Sequence, residues 1–284
     1  MKPFEYFAPA TLYEACHLLA AHKGEARVIA GGTDLLLKMK AGALRADPKA
    51  IVNIKRLHEL RGLADRQSVI GIGALTTLEE LRGSPLVRER LPALAEAANT
   101  MASVQIRNLA TVGGNLCNAA PSADLAPILI ALEAVAVISS PSGGRRLPLD
   151  EFFVGPGQTV LTPGELLLAI EVPLPAGRSA YLKHSPRQHM DIAVVGVGLA
   201  LKLEADRCES ARVVLGAVAP VPWRARRAEE ELTGSRLNPE RISRAASLAA
   251  EEAMPIDDVR GSAWYRRRMV EVLTRRGLMS LMRI

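Results

Sequence analysis

Two glycine pairs are the part of this sequence best suited to chemistry, because their surroundings are typical of phosphate-binding loops. The first pair lies in 29-IAGGTDLL-36 and the second in 110-ATVGGNLCNAAPSAD-124. Glycine has no Cβ to hold a ligand away from the backbone, and it adopts positive φ freely, so backbone N–H groups can converge on phosphate oxygens. The side chains of Thr33, Thr111 and Asn115 add further hydrogen-bonding groups. Taken singly, each pair is better explained as a tight turn.

Neither segment matches the usual nucleotide-binding patterns. A dinucleotide-binding Rossmann turn requires GxGxxG, and a nucleoside triphosphate loop requires GxxxxGK[ST]. Both patterns are absent from the two segments. A nicotinamide-binding domain and a nucleoside triphosphatase therefore lose support.

The elements around the first pair are predicted to be a strand and a helix. Residues 26–30 read as a buried strand that runs directly into Gly31 and Gly32, and 33–42 read as a helix that starts at Thr33 or Asp34. This order brings backbone N–H groups and the positive end of a helix dipole to one place. An amphipathic helix at 11–24, with Thr11 as N-cap and Gly24 as C-cap, precedes the strand.

The second pair is predicted to lie within a larger α/β unit. The predicted strands are 50–54, 68–75 and 165–173, the predicted helices are 76–84, 92–102 and 125–138, and 103–115 is predicted to be a strand followed by a turn. Asp124 stands at the N-cap position of the apolar segment 125–138. A second turn is predicted at 141-PSGG-144.

A domain boundary is predicted at 173-PLPAG-177, where proline and glycine interrupt the pattern. Beyond it, 192–204 and 211–220 are predicted to form an antiparallel hairpin with the turn at 205–210. Three amphipathic helices follow at 222–234, 239–253 and 261–282. These patterns predict an α+β fold, with a smaller α+β domain at the carboxyl-terminal end.

Composition and charge restrict the class of protein. The 284 residues are 49% hydrophobic and 23% charged, which is typical of a globular chain, and no apolar run reaches the roughly 20 residues that a membrane span requires. The start of the chain does not read as a signal peptide, so a cytoplasmic location is expected. The net charge of +6 raises the possibility of nucleic-acid binding, but aromatic residues total only 4%, and glutamates alternate with the arginines of the last helices. A basic face that docks on an acidic partner subunit fits this pattern better.

Cysteine and histidine residues form no metal-binding pattern. Cys16, Cys117 and Cys208 are about a hundred residues apart, which excludes CxxC motifs, zinc motifs and cluster-binding runs. The five histidines are equally scattered: His17, His22, His58, His184 and His189. If the chain handles electrons, it does so without an iron–sulfur cluster of its own.

Four further segments, taken with the glycine pairs, resemble a known family. They are 152-FFVGPGQTVLTPGELLLAIEVP-173, 181-YLKHSPRQHMDIAVVGV-197, 220-PVPWRA-225 and 257-DDVRGSAWYRRRM-269. In this order and spacing they resemble the FAD-binding medium subunit of the molybdenum hydroxylases, which include xanthine dehydrogenase and aerobic carbon monoxide dehydrogenase. The resemblance covers essentially the whole chain.

The resemblance implies a fold and an assembly. The fold is an FAD-binding domain of the vanillyl-alcohol oxidase-like (PCMH) type at 1–176, with subdomains at about 1–55 and 56–176, followed by a carbon monoxide dehydrogenase flavoprotein-like domain at 177–284. The partners are a large molybdopterin-binding subunit and a small [2Fe-2S] subunit, arranged as a dimer of heterotrimers. The molybdenum cofactor and the clusters belong to those partners, and this chain holds FAD. No nucleic acid and no membrane span are implied.

The same resemblance implies which residues hold FAD. The first loop would comprise Val28, Ile29, Ala30, Gly31, Gly32, Thr33, Asp34 and Leu35, and the second Thr111, Val112, Gly113, Gly114 and Asn115. Asp124 matches a carboxylate on the ribose or nucleotide side, Leu167 a strand residue near the flavin ring, and Lys183 a lysine whose charge would stabilise reduced flavin. Asp191 and Ile192 match a loop beside the flavin edge. Met101 falls where some relatives carry an aromatic ring, so it is left out of the predicted site.

No catalytic acid or base and no metal ligand is predicted. Residues 28–40 contain no histidine, so the predicted FAD is not covalently attached. Electrons would pass from the partner's [2Fe-2S] clusters through FAD to NAD⁺, a quinone or another acceptor. A self-contained FAD oxidase or reductase is the main alternative, and a non-catalytic assembly or storage protein that retains the fold without flavin is the other.

Overall fold

The structure, a computed structural model, describes residues 2–44, 46–188, 190–205 and 207–282. His189, one of the scattered histidines, lies outside the described residues. The elements form three units in chain order, each built of a sheet and helices. They confirm the predicted α+β class.

The amino-terminal unit is a small parallel sheet with two helices. Its elements are β1 (Glu5–Phe7), α1 (Leu12–Ala21), β2 (Ala26–Ile29), α2 (Leu35–Lys40) and β3 (Ala50–Asn53). Strands β1 and β2 both pair with β3 in parallel, which gives the order β1-β3-β2. Helix α1 buries Ala15, Cys16 and Leu19 on one face, as their helical spacing predicts.

The second unit is a five-stranded antiparallel sheet in the order β4-β5-β10-β6-β7, with a separate β8-β9 ribbon and six helices. The strands are β4 (Leu63–Asp65), β5 (Val69–Gly73), β6 (Val135–Ser140), β7 (Gly143–Pro148), β8 (Phe153–Gly155), β9 (Gln158–Thr159) and β10 (Leu166–Pro173). The helices are α3 (Leu78–Gly83), α4 (Pro85–Arg90), α5 (Pro92–Asn99), α6 (Val104–Arg107), α7 (Val112–Asn118) and α8 (Leu125–Ala131). Every residue of α8 is buried, so this helix forms the centre of the unit.

The third unit is a four-stranded antiparallel sheet with three helices. Its strands are β11 (Arg178–His184), β12 (Val195–Glu204), β13 (Arg207–Gly216) and β14 (Trp223–Arg224), and its helices are α9 (Arg226–Leu232), α10 (Pro239–Glu252) and α11 (Ala263–Met282). Successive residues of β12 point to opposite faces of the sheet. Gly198 faces α8, where a Cβ would lie 2.5 Å from Pro127 O, while Leu199 faces Gly277 of α11. Helix α8 therefore packs directly on the third sheet.

The motifs 220-PVPWRA-225 and 257-DDVRGSAWYRRRM-269 hold this unit together through Arg224 and Arg266. Arg266 is buried, and its guanidinium donates to Ala217 O at 2.8 Å, to Val194 O at 3.3 Å and to Asp258 Oδ1 at 2.6 Å. Arg224 donates to Glu229 Oε2 at 2.7 Å. The contacts of Arg266 lie inside the unit, and Arg224 also donates to Asp150 Oδ2 of the second unit at 3.4 Å, so both arginines serve the fold.

The structure corrects several predicted elements. Residues 103–115 are not a strand: Ser103 Oγ accepts from Ile106 N and Thr111 Oγ1 from Gly114 N, and these N-caps begin α6 and α7. The segment 125–138 is helix only to Ala131 and becomes β6 at Val135. The predicted turn at 205–210 is shorter, because β13 already begins at Arg207.

Two predicted helix ends also shift. The chain pairs as β14 at Trp223 and Arg224 before α9 begins at Arg226. Helix α1 ends at Ala21 with His22 as C-cap, and Gly24, at φ +88°, turns the chain afterwards. Among the described residues, no helix combines the length and the apolar character needed to cross a bilayer.

Candidate functional site

The first glycine loop lies against the backbone of the second. Strand β2 leads into Ala30-Gly31-Gly32, and α2 begins three residues later. A Cβ on Gly31 would lie 2.1 Å from Leu109 O and 3.0 Å from Ala110 Cα, so only glycine allows this approach. Gly32 has φ +77°, a conformation that glycine adopts without strain.

The second glycine pair forms the first turn of α7. Thr111 is the N-cap, and its Oγ1 accepts from Gly114 N at 3.0 Å. Gly113 N donates to Ala74 O at 2.8 Å, and a Cβ on Gly113 would lie 2.7 Å from the Ala74 Cβ. The pair is thus fixed both by its cap and by the end of β5.

A cavity of about 760 Å³ extends between the two loops and reaches the third unit. This volume is within the range of small-molecule and cofactor sites, roughly 300–1,000 Å³. All the predicted FAD-site residues line it except Ile29, Val112 and Lys183. Ile29 and Val112 are instead buried in hydrophobic core clusters.

Asn115 supplies an independent test of whether this cavity suits a polar ligand. Its Oδ1 atom is buried and has no hydrogen-bond partner among the described residues. A buried polar atom without a partner costs about 1–3 kcal/mol. Asn115 lines the cavity one turn into α7, so a hydroxyl or N–H of a bound molecule would satisfy it. FAD, with its ribityl and ribose hydroxyls, fits this requirement.

Asp124, at the N-cap position of α8, binds the third sheet instead of its own helix. Its side chain makes no cap bond; Oδ1 accepts from Tyr181 Oη at 2.7 Å and Oδ2 from Lys183 Nζ at 3.0 Å. Burial raises the pKa of Asp124, and the Lys183 ammonium and the Tyr181 hydroxyl oppose that rise. Burial and the neighbouring carboxylate also raise the pKa of Tyr181 well above its usual value. The N-cap interpretation is therefore wrong for the side chain.

Lys183 is committed to this buried cluster. Besides Asp124, its ammonium contacts Thr100 O at 3.3 Å, and the side chain is 7% exposed. It does not line the cavity. The charge of Lys183 is therefore largely offset at the cavity by the carboxylate of Asp124, with which it forms an ion pair.

Strand β10 and the loop after β11 form the other wall. Leu166 and Leu167 line the cavity at the start of β10. Glu165 precedes them and accepts from Arg145 Nε at 2.7 Å, which lowers the pKa of Glu165 to about 2. After β11, Asp191 Oδ2 accepts from Arg187 N and its Oδ1 from Ile192 N, so the carboxylate links these described residues.

Sequence reasoning missed several residues that line the cavity. They include Arg27, Lys38, Ser103, Ile106, Asn118 and Leu161, together with Met101, which was left out of the predicted site. The missed signal at α7 was the interval from Asn115 to Asn118, which places two amides on one helical face. Lys38 follows Asp34 by four residues, a spacing that also places two side chains on one face of a helix. Met101 shows that a methionine at this position can still face the cavity.

The described residues contain no group of three or more His, Cys, Asp or Glu side chains that could hold a metal ion. Cys117 lines the cavity as a free thiol, and burial raises its pKa to about 12. The site therefore combines two glycine loops, an unsatisfied amide, an apolar wall and carboxylates already tied to cations. A cavity of about 760 Å³ with this lining suits an organic cofactor.

Comparison with known proteins identifies the family. Residues 2–175 match the family described as the FAD binding domain in molybdopterin dehydrogenase, and residues 180–281 match the CO dehydrogenase flavoprotein C-terminal domain. The chain belongs to this family. It is an FAD-binding medium subunit of a molybdenum hydroxylase-type complex, and thus part of an oxidoreductase.

Individual relatives agree over nearly the whole chain. The chain is 36% identical to the carbon monoxide dehydrogenase medium chain of Hydrogenophaga pseudoflava, covering 97% of this chain and 96% of that one. It is 35% identical to the glyceraldehyde dehydrogenase medium chain of Sulfolobus acidocaldarius, with 95% of each covered. A solved structure of the Hydrogenophaga pseudoflava carbon monoxide dehydrogenase superposes with a TM-score of 0.95 at 36% identity, covering 99% of both chains.

Proposed function

We propose that this chain relays electrons from the [2Fe-2S] clusters of a partner subunit, through its FAD, to an external acceptor. NAD⁺, a quinone or another oxidant would take the electrons. The alternative is a self-contained FAD oxidase or reductase. The redox chemistry belongs to the flavin when bound, and the protein positions it and controls access.

The lining of the cavity carries the proposal. Its buried or half-buried carboxylates are each tied to a cation: Asp124 to Lys183, Glu165 to Arg145 and Asp191 to Arg187. The pKa of Glu165 is about 2 and that of Asp191 is lowered, so these two carboxylates stay ionised at neutral pH and do not exchange the protons that general acid–base catalysis requires. Asp124, whose pKa is raised by burial, has one oxygen bound by Tyr181 and the other by Lys183. Among the described residues, Asp34 is the one lining carboxylate without an ion pair, and it is exposed. This lining suits electron relay better than substrate chemistry.

The cavity mouth also suits a relay. Leu37, Ile106, Met190 and Ile192 line the cavity and are exposed large apolar side chains. Large contiguous patches of exposed apolar side chains mark interaction sites. A partner subunit seated at this rim would bring its redox centre close to the flavin.

The finer features of the assignment belong to the same proposal. FAD would be held non-covalently by the predicted residues of both loops, with Asp124, Leu167, Asp191 and Ile192 on the other walls. The domain division would lie near residue 176, with subdomains at about 1–55 and 56–176. The assembly would be a cytoplasmic dimer of heterotrimers with a large molybdopterin-binding and a small [2Fe-2S] subunit.

Reduction kinetics in the assembled complex test the relay. Two complexes are purified, one with the native chain and one with the Gly31→Val variant. The valine side chain prevents the close contact between the two loops. Each complex is reduced anaerobically with limiting dithionite. We expect flavin bleaching near 450 nm after cluster reduction in the native complex, and transfer to ferricyanide, NAD⁺ or a quinone that is lost in the variant. The relay is wrong if the isolated chain with FAD oxidises an organic substrate unaided.

A further inference from the structure

Lys38 reaches across the cavity from one helix to the other. It lies in α2, half-buried, and its ammonium donates to Asn118 Oδ1 of α7 at 2.5 Å. Both residues line the cavity. Lys40, two residues further on the same helix, is exposed and does not line it.

The ammonium of Lys38 has no carboxylate partner among the described residues. Arg27, the other cation among the described residues that line the cavity, donates to Gly24 O and to Ala26 O. A neutral amide oxygen is a weaker partner for a cation than an anionic oxygen, because only the anionic oxygen adds the attraction between two full charges. Lys38 is therefore a positive charge, held in the cavity, that an anion could take over.

The glycine loops leave room for such a charge. FAD carries two negative charges on its diphosphate, whereas the glycine loops carry no cation. At the second pair the N–H groups of Gly113 and Gly114 already donate to Ala74 O and Thr111 Oγ1. Asn118 follows Gly114 by four residues, which places it about 6 Å along the helix axis from the second glycine pair. An ammonium held at Asn118 is thus within reach of a diphosphate on the loops.

We propose that Lys38 binds the diphosphate of FAD and that Asn118 positions the ammonium until the cofactor displaces it. This inference rests on the proposed function in one respect, that the chain holds FAD on its two loops. It adds a binding residue outside both loops, and it explains why a lysine lies in the cavity when its neighbour Lys40 points to solvent.

Equilibrium binding of FAD to the full chain tests the role of the charge. FAD and riboflavin affinities are measured by fluorescence quenching at low and high salt for native chain, Lys38→Gln, Lys38→Arg and the matched control Lys40→Gln. We expect Lys38→Gln to weaken FAD roughly 10- to 100-fold, as loss of a charged hydrogen bond predicts. Riboflavin, which has no phosphate, should bind equally to all four. The salt dependence of FAD binding should shrink in Lys38→Gln alone.

Two variants at Asn118 separate a binding charge from a structural bridge. Asn118→Asp would pair the ammonium with a carboxylate and should lower FAD affinity toward that of Lys38→Gln, whereas Asn118→Ala should stay within a few-fold of native. If Lys38→Gln unfolds, the Asn118→Asp result decides the question. The inference is overturned if Lys38→Gln binds FAD as Lys40→Gln does, or loses FAD and riboflavin equally. Failure of the native chain to bind FAD would instead overturn the proposed function.

Discussion

Replacing Gly31 with alanine is the most direct test of the two-loop site. The added Cβ would lie 2.1 Å from Leu109 O and 2.7 Å from the Leu109 carbonyl carbon. Both atoms are backbone, so no side-chain rotation relieves the contact. The φ angle of Gly31 is not in the positive region, so the effect would come from space and not from backbone conformation.

The magnitude follows from the distance. To restore a separation of at least 3.0 Å, the two loops must move apart by about 1 Å. Overpacking of this kind costs about 1–3 kcal/mol, and a backbone obstacle favours the upper part of that range. In the free variant the loops can relax apart, but FAD must bring them back to the native spacing. The strain then appears as a loss of affinity, roughly 5- to 150-fold.

The assay pairs urea unfolding with FAD titration on the full chain. Gly83→Ala is the matched control, because Gly83 is exposed at the end of α3 and an added Cβ would meet nothing within 4 Å. We expect the control to bind FAD normally and to gain up to about 1 kcal/mol of stability. Native-like FAD affinity in Gly31→Ala would refute the reasoning, because the loop contact would then be irrelevant to the cofactor.

Three further predictions concern the walls of the cavity. Lys183→Met should reduce the free energy of unfolding at neutral pH by about 3–5 kcal/mol, because Asp124 stays buried without its cation, and urea titration measures the loss. The pKa of Glu165 is about 2 in the folded chain, against an ordinary value of 4.5. Its contribution to the free energy of unfolding should therefore be complete above pH 4.5 and be lost as the pH falls toward 2. The difference in unfolding free energy between native chain and Glu165→Gln should follow the same course. Cys117, with a pKa of about 12, should react with iodoacetamide at pH 8 far more slowly than a free thiol, and FAD should slow it further, as read by mass spectrometry.

Matched variants control these measurements. The double variant Lys183→Met with Asp124→Asn removes both charges and should recover much of the stability; if it does not, the ion pair is not the cause. Arg145→Met should abolish the same pH dependence as Glu165→Gln, and an unchanged profile would contradict the assigned partner. Unfolded chain should label Cys117 freely, and equal labelling rates in folded and unfolded chain would contradict its partial burial and raised pKa.

Local patterns predicted most elements correctly but misplaced several boundaries. The 3.6-residue spacing of α1 and the apolar strand β2 are short-range features, so they could be read directly. The segment 103–115 was assigned wrongly because two N-caps, Ser103 and Thr111, outweighed the apolar run that suggested a strand. Likewise, apolar content alone could not show where α8 ends and β6 begins.

Within the cavity, sequence reasoning found the two loops and missed the side chains that meet between them. The loops are contiguous and rich in glycine, so type and spacing revealed them. The contact between Lys38 and Asn118 joins residues 80 positions apart, and no pattern along the chain marks it. Asp124 is similar: its place before α8 suggested a cap, yet Tyr181 and Lys183 of the next unit bind its carboxylate.

The sequence by itself thus determined the two glycine loops, the absence of cysteine and histidine patterns for metal, and the family resemblance, because each depends on residue type and order. Only the tertiary structure decided that Gly31 lies against Leu109, that Asn115 Oδ1 has no partner among the described residues and that Lys183 forms an ion pair with Asp124. The physical reason is that approach distances, burial and ion pairing depend on how distant segments pack. Those quantities exist only once the units have folded against each other.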